Sequence, residues 1–238
     1  MKELLVFWTP WNRVQFPECH HDKTKQHPTL TEEWTRQRMD IWERTALKSI
    51  INQHYTNWFY FVCFNPATQE MIRPHFNRIV KDERVYMDFS ETVPSRKKIV
   101  EISRQYDLVT LVRLDSDDMY HPDAGSEIMS TSSKTKWFMW KEGYGYRWET
   151  RHMWIYDCIG SGPFFGHRMT GLEFGQYPVV KERAHNEVKE LNPTMLSNGM
   201  FLVSITGMNT TSRVRSKNFK EKIYKPEKTD ILKEFKII

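Results

Sequence analysis

The sequence predicts a single α/β domain, built on a mostly parallel mixed sheet that is flanked by helices. Short apolar runs of strand length alternate with amphipathic stretches of helical period over residues 1–120, which is typical of βαβ units. No proline- or glycine-rich linker and no internal repeat divides the chain of 238 residues, a length that suits one domain with a full core.

The first half supplies the regular elements. Apolar runs predict strands at Leu4–Trp8, Trp58–Phe64, Val85–Phe89 and from Leu108 onwards. Helices are expected at Thr29–Tyr55, at Thr68–Val80 with an interruption at Pro74, and at Ser95–Tyr106. Thr29 and Glu32 have the spacing of a capping box at the start of the long helix.

The second half is less regular. Residues 137–140 and 144–148 are expected to pair as a hairpin around Gly143, Gly160–Gly166 is expected to be a turn region, and Met200–Ile205 is a late strand. We expect one domain over residues 1–212. A basic tail over residues 213–238 is either part of that domain or peripheral to it.

The most informative stretch is Leu108–Asp123, LVTLVRLDSDDMYHPD. An apolar run of the kind found in buried parallel strands ends abruptly in Asp115, Asp117 and Asp118. Open α/β sheets bind their ligands at the carboxyl ends of the strands, and clustered carboxylates need a positive partner. A divalent cation that carries a phosphorylated ligand is the expected partner. The alternative is a loop whose acids cap the next helix.

Other aspartate-based sites fit this stretch poorly. A calcium loop that started at Asp115 would need glycine at its sixth position and glutamate at its twelfth, where Tyr120 and Ser126 stand. Phosphatases with an aspartyl nucleophile place their motif after the first strand and have threonine where Met119 stands here. The chain has no phosphate-binding P-loop motif. The remaining interpretation of this stretch is a site for a metal ion and a diphosphate.

Charge and cysteine content restrict the partners and the compartment. Residues 213–238 contain nine Lys/Arg and four Asp/Glu, so the net charge of +5 lies in the tail and the body is near neutral, which argues against a nucleic-acid partner.

Three scattered cysteines form no disulfide framework, and we find no signal peptide or membrane span. We therefore expect a cytoplasmic protein. Its tail docks on the domain or makes peripheral contact with the inner face of the membrane.

Several segments resemble the nucleotide-sugar-dependent glycosyltransferases of the GT-A fold, and within the family-2-like enzymes the rhamnosyltransferase group. The likeness is carried by Arg38–Phe64, Pro94–Lys98, Arg113–Asp118, Ala184–Asn186 and Met208–Arg213, and it covers most of residues 1–215. It implies a nucleotide-sugar donor, a saccharide or glycoconjugate acceptor, and a role in surface polysaccharide or glycan synthesis. The sequence departs from the group near Thr206-Gly207, where related enzymes often have histidine.

The resemblance also assigns roles to residues. It implies Mn²⁺ or Mg²⁺ held by Asp115 and Asp117, with His185 as the best candidate for a third ligand and His167 as its rival. Eight residues are expected to contact the nucleotide or to support that contact. They are Thr9, Trp11, Arg13, Asp88, Arg96, Lys97, Arg113 and Asp118. For Arg113 a structural role beside the acids is the alternative, and Asp118 could instead ligate the metal or cap the next turn.

The resemblance implies a single displacement with inversion, which needs a general base near the acceptor hydroxyl. Asp157 and Glu173 are the candidates, with Glu149, Glu182 and Glu187 behind them. Two other functions stay open. One is a sugar-phosphate nucleotidyltransferase, although Thr9–Arg13 has none of the glycines that such enzymes use around a triphosphate. The other is a non-catalytic carbohydrate- or partner-binding protein on the same fold.

Overall fold

The computed structural model describes residues 1–11, 31–89, 96–157, 164–176, 188, 190–206 and 228–237. Within these ranges the chain is a mixed α/β domain, as the sequence predicts. Its strands are β1 Glu3–Pro10, β2 Trp58–Cys63, β3 Val85–Asp88, β4 Leu108–Arg113, β5 Met119–Tyr120, β6 Trp137–Trp140, β7 Glu142–Arg147, β8 His152–Asp157, β9 Phe165–Thr170, β10 Thr194–Leu196 and β11 Phe201–Ile205. Its helices are α1 Glu32–Trp42, α2 Lys48–Ile51, α3 Gln69–Ile79, α4 Arg96–Ser103, α5 Ala124–Ser130, α6 Gly171–Gln176 and α7 Lys228–Glu234.

A seven-stranded sheet forms the centre, in the order β10-β6-β9-β4-β1-β2-β3. Strand β9 is antiparallel to both of its neighbours, and the other adjacent pairs are parallel. The parallel strands β4, β1, β2 and β3 therefore end at one common edge, where the ligands of open α/β sheets bind. Strand β4, which leads into the three aspartates, lies in the middle of this sheet.

Successive side chains of β1 point to opposite faces of the sheet, so β1 contributes to the hydrophobic core on both faces. Leu5 and Phe7 pack with α1, α2, α3 and α5, whereas Leu4, Val6 and Trp8 pack with α4 and α6. Neighbouring residues of a strand point to opposite faces, so a continuous apolar run marks a strand that is buried on both sides. The run at β1 was predicted as a strand for this reason.

The first long helix begins later than predicted and contains a π-helical turn. Thr31 is its N-cap and accepts a hydrogen bond from Trp34 N, whereas Thr29, the predicted cap, lies outside the described residues. The turn Glu43–Leu47 joins α1 to α2 without a break. Such π-helical turns are rare in proteins, and those that occur are often found at functional sites.

The predicted break at Pro74 is wrong, because α3 continues through it. Proline removes the hydrogen bond to the carbonyl four residues earlier, here that of Glu70. Both residues are exposed, so water can bond to that carbonyl. The helix keeps its buried face through Ile72 and Phe76.

The predicted hairpin around Gly143 is also wrong. Strand β6 joins the large sheet, and β7 belongs to a second sheet in the order β5-β11-β7-β8. Strand β7 pairs with β8 on one side and with β11 on the other. Gly145 lies so close to the ring of Trp154 that a Cβ would be about 2 Å from it, so packing on β8 requires glycine there.

The C-terminal helix packs on this second sheet. Ile231, Leu232 and Phe235 are buried against Met119 and Leu202, among others. The described end of the basic tail is therefore in contact with the domain. Within the described ranges, no helix has the length and the apolar character that are needed to cross a bilayer.

Candidate active site

Asp115, Asp117 and Asp118 lie in a tight turn at the carboxyl end of β4, which we call the acid turn (residues 115–118). Leu114 connects β4 to the acid turn, and its backbone amide donates a hydrogen bond to the carbonyl of Trp8 on β1 (2.9 Å). The amide of Asp118 donates to the carbonyl of Asp115 (3.1 Å) and closes the turn. Three carboxylates are thus confined to four residues at the ligand-binding edge of the sheet.

Asp115 is the accessible member of the acid turn, with 37% of its side chain exposed. Arg113 Nε donates to its Oδ1 at 3.0 Å, and the guanidinium carbon of Arg113 lies 6.0 Å from the ring centre of Trp8. The mostly buried guanidinium of Arg113 thus orients the carboxylate of Asp115. The other carboxylate oxygen, Oδ2, has no hydrogen bond in the described part of the chain. This contact favours the structural role for Arg113.

Asp117 is buried and pairs with an arginine from α1. Arg38 Nη2 lies 2.8 Å from Asp117 Oδ1, and Arg38 Nε donates to Ser116 Oγ at 2.9 Å. Burial raises the pKa of Asp117, the charge of Arg38 opposes that rise, and the neighbouring charge of Asp115 adds to it. Burial and the like charge therefore work against ionisation of this group, although Arg38 supports it.

Asp118 connects the acid turn to the second sheet. Its Oδ1 accepts a hydrogen bond from the amide of Ser204 on β11 (3.0 Å), and the hydroxyl of Ser204 donates to the backbone carbonyl of Asp117. Burial raises the pKa of Asp118 well above its usual range, and the charges of Asp117 and Asp115 raise it further. Asp118 faces the protein interior, so its position favours a role in holding the turn.

Thr9 lies under the acid turn and is fully buried. Its hydroxyl donates to the carbonyl of Leu114 (2.6 Å) and lies 2.7 Å from the hydroxyl of Tyr60, which also accepts from Trp42 Nε1 (2.9 Å). Since a hydroxyl has one proton, Tyr60 donates to Thr9. This chain of hydrogen bonds joins α1, β2 and β1 to the turn and gives Thr9 a positioning role.

Trp11 and Asp88 lie at the same edge of the sheet but are buried. Trp11 packs edge-on against Trp42, with ring centres 5.4 Å apart, and against Phe64 at 5.2 Å. Asp88 ends β3, pairs in register with Cys63 and is 3% exposed. Three strand spacings separate it from β4, roughly 14 Å. Trp11 therefore belongs to the core, and Asp88 is at a distance from the acid turn.

Five other predicted residues contribute no described contact to the acid turn. Arg13 and His185 lie outside the described residues, and only the backbone of Arg96 is described, at the start of α4. Lys97 is exposed on the same helix. His167 is on β9, where its ring stacks on Trp137 with centres 3.9 Å apart. The third metal ligand and the phosphate contacts stay predictions.

The structure does not bring Asp157 and Glu173 together with the acid turn. Asp157 is exposed and lies four residues beyond Met153, the β8 residue level with Ser204, which is roughly 13 Å along the strand. Glu173 caps α6: it accepts from the amide of Thr170 (2.7 Å), and Thr170 Oγ1 accepts from its amide (3.1 Å). Because Thr170 pairs with Leu108, this cap lies at the other end of β4, roughly 20 Å away.

Glu149 lies nearer to the acid turn than either of these candidates. It is exposed on the turn between β7 and β8, directly after Trp148, whose amide donates to the carbonyl of Ile205 at 3.1 Å. The ring of Trp148 meets Arg44 of the π-turn at 5.9 Å. This end of the second sheet therefore faces the helix that also carries Arg38.

The acid turn suits a magnesium-like ion. Such ions are commonly held by one or two carboxylates together with substrate phosphates and water. Asp115, which has an accessible oxygen, and Asp117, two residues later, provide two hard oxygen ligands. Within the described ranges no group of three or more His, Cys, Asp or Glu residues converges on one point.

Sequence reasoning missed Arg38 and Ser204 as members of this site. Arg38 lies on the buried face of α1, four residues before the fully buried Trp42. A charged residue on the apolar face of a helix is a detectable signal, because buried arginine needs a partner. Ser204 offers no such signal, since an alternating strand often contains serine.

No protein-family model matches this chain. No curated protein matches it in sequence either. Solved structures do resemble it. S. aureus TarS (residues 1–349), determined in complex with UDP, has a TM-score of 0.45 and 11% identity, over 99% of this chain and 70% of that one.

Two further structures illustrate the range of this likeness. The glycosyltransferase GlyE of Streptococcus pneumoniae has a TM-score of 0.39 and 10% identity, over 98% of this chain and 63% of that one. A 4-diphosphocytidyl-2C-methyl-D-erythritol synthase from Anaerococcus prevotii has 0.38 and 10%, over 99% and 95%.

Proposed function

We propose that this protein is a metal-dependent glycosyltransferase, which moves a sugar from a nucleotide-sugar donor to a hydroxyl of a saccharide or glycoconjugate. The observation that carries the proposal is the acid turn, which presents one accessible and two buried carboxylates at the carboxyl end of a central parallel strand. Burying an acidic side chain costs free energy because its charged form loses water, and buried acidic groups with shifted pKa values are frequent at functional sites. The family resemblance of Arg113–Asp118 supports the same chemistry.

Asp115 and Asp117 would hold Mn²⁺ or Mg²⁺, with His185 as a third ligand. When bound, the ion would neutralise the charge that develops on the leaving nucleoside diphosphate. Arg113 orients Asp115, while Thr9 and Ser204 fix the turn from opposite sides. Arg13 and Arg96 would contact the donor phosphates from the same edge of the sheet.

The acceptor would bind between the acid turn and the second sheet, and the sugar would be transferred with inversion in one displacement. A carboxylate on that side must take the proton of the acceptor hydroxyl. Asp157 remains a candidate, and Glu149 is better supported because its turn lies at the end of the sheet where Ser204 meets Asp118. We place the reaction in surface polysaccharide or glycan synthesis, at the cytoplasmic face of the membrane.

A thermal-shift screen tests the proposal. The wild type is heated with UDP, GDP, CDP or dTDP, each with and without Mn²⁺, and we expect one nucleotide to raise Tm only when the metal is present. At a hundredfold excess over Kd the gain is about 2.7 kcal/mol. Asp115→Asn should abolish it. Asp107→Asn, a change directly before the other end of β4, should leave it intact.

Two results would redirect the assignment. Release of pyrophosphate from a nucleoside triphosphate and a sugar phosphate would identify a nucleotidyltransferase. If none of these four nucleotides binds with Mn²⁺, the alternative of a non-catalytic binding protein on this fold is favoured.

A further inference from the structure

Arg38 pairs with the buried part of the acid turn, and its described hydrogen bonds leave one of its nitrogens unused. Its Nη2 pairs with Asp117 and its Nε donates to Ser116, but its third nitrogen, Nη1, is buried and has no hydrogen-bond partner. Guanidinium groups usually engage carboxylates through two parallel bonds. Arg38 forms one such bond to Asp117 rather than two, so this ion pair lacks the bidentate geometry.

An unused acceptor lies one turn away on the same helix. Thr35 is 1% exposed, and its hydroxyl also has no hydrogen-bond partner. Residues three positions apart lie on the same helix face, and long helical side chains extend toward the N-terminus of the helix. Thr35 therefore lies on the helix face along which the side chain of Arg38 extends.

A divalent ion on Asp117 would meet the charge of Arg38 at close range. The guanidinium nitrogen is 2.8 Å from the carboxylate oxygen, and both side chains are more than nine-tenths buried. Like charges at such separations repel strongly when water is excluded. Tight metal binding and the observed position of Arg38 therefore oppose each other.

We propose that Arg38 is a built-in competitor of the metal ion: it neutralises Asp117 in the metal-free protein and moves to Thr35 when the ion binds. The proposal rests on the proposed function of the acid turn. It makes Arg38 a positioning residue that sets metal affinity without touching the substrate. Asp117 then stays paired in both states, so the buried carboxylate is never left without a cation.

Titration of Mn²⁺ alone, followed by the electron paramagnetic resonance signal of the free ion, tests this inference. Arg38→Met should bind Mn²⁺ at least about tenfold more tightly than the wild type, a coupling of usual size. Thr35→Val, which keeps the shape but removes the hydroxyl, should bind several-fold more weakly. Arg36→Met, an exposed change on the same helix, should bind like the wild type.

Each result decides the inference. Circular dichroism establishes that each variant is folded, and if Arg38→Met does not fold, Thr35→Val decides alone. Unchanged or weaker binding by folded Arg38→Met, or unchanged binding by Thr35→Val, overturns the inference while leaving the proposed function intact. If no variant binds Mn²⁺, with or without UDP, GDP, CDP or dTDP, the proposed metal site and the inference both fail.

Discussion

Arg168 and Arg38 are both buried, yet their guanidinium groups meet different partners. Arg168 on β9 has no acidic hydrogen-bond partner but uses all three nitrogens, donating to Thr110 Oγ1, Thr131 Oγ1 and the carbonyls of Ile128, Thr131 and Ser132. These carbonyls lie at the C-terminal end of α5, where a cation is favourable. Arg38 pairs with a carboxylate and leaves one nitrogen unused.

This is the difference that we expect between a structural site and the ligand site that we propose at the acid turn. Every side-chain nitrogen of Arg168 has an acceptor, which favours a single arrangement. Around Arg38 and the acid turn, buried like charges and unused polar atoms remain, which costs stability unless a ligand arrives. Four substitutions test whether the two arginines differ in this way.

Arg168→Met should destabilise the protein most, by on the order of 4–5 kcal/mol, because several buried acceptors lose their donor together. Urea unfolding followed by circular dichroism measures this loss. Arg104→Met, an exposed change on the surface, is the matched control and should stay within about 0.5 kcal/mol of the wild type. A loss below about 1 kcal/mol for Arg168→Met would remove the distinction between the two arginines.

Arg38→Met should cost about 3 kcal/mol at pH 7.5, because it removes the arginine that pairs with the buried carboxylate of Asp117. The pKa of Asp117 is already raised, so the folded state takes up a proton more readily than the unfolded chain. The penalty should therefore shrink when the pH falls from 7.5 to 5. A penalty independent of pH, as expected for Arg168→Met, would contradict this account.

Asp118→Asn should stabilise the metal-free protein by about 1 kcal/mol at pH 7, or about 2–4 °C in Tm. A folded-state pKa above the unfolded value means that stability falls as the pH rises through that folded pKa. Asparagine removes this loss and can still accept the hydrogen bond from Ser204. Differential scanning calorimetry should show the gain at pH 7 and none near pH 3.8; a loss of stability at pH 7 would refute the charge argument.

Glu173→Ala should have the smallest effect, a loss of about 0.5–1 kcal/mol, because it removes one half of the capping box with Thr170. Nucleotide-dependent Tm shifts should stay as in the wild type, because the cap is at the far end of β4. Selective loss of turnover with unchanged stability would instead restore Glu173 as a candidate general base.

The fold could be predicted where the information is local. The buried strands β1 and β4 are largely apolar runs; β1 was placed within two residues of its observed bounds, and β4 begins at Leu108 as predicted. Which strands pair with each other was harder to predict from the sequence. Whether β7 pairs with β6 or with β8 depends on Gly145 under Trp154 and on Gly143 beside Phe201, contacts that no local pattern encodes.

The candidate site divides in the same way. The acid turn follows from the sequence, because carboxylates after a buried strand reach the ligand-binding edge. Thr9 and Trp11 were also placed at this edge, but the sequence could not tell that both side chains are covered.

The α/β class, the strand that ends in three aspartates and the expectation of a cation beside them all follow from the order of residues. Which aspartate is accessible and which are paired depends on contacts between distant segments. Arg38 reaches Ser116 across 78 residues and Ser204 reaches Asp118 across 86. Charges interact through space, so the state of each aspartate is set by neighbours that the order of residues along the chain does not reveal.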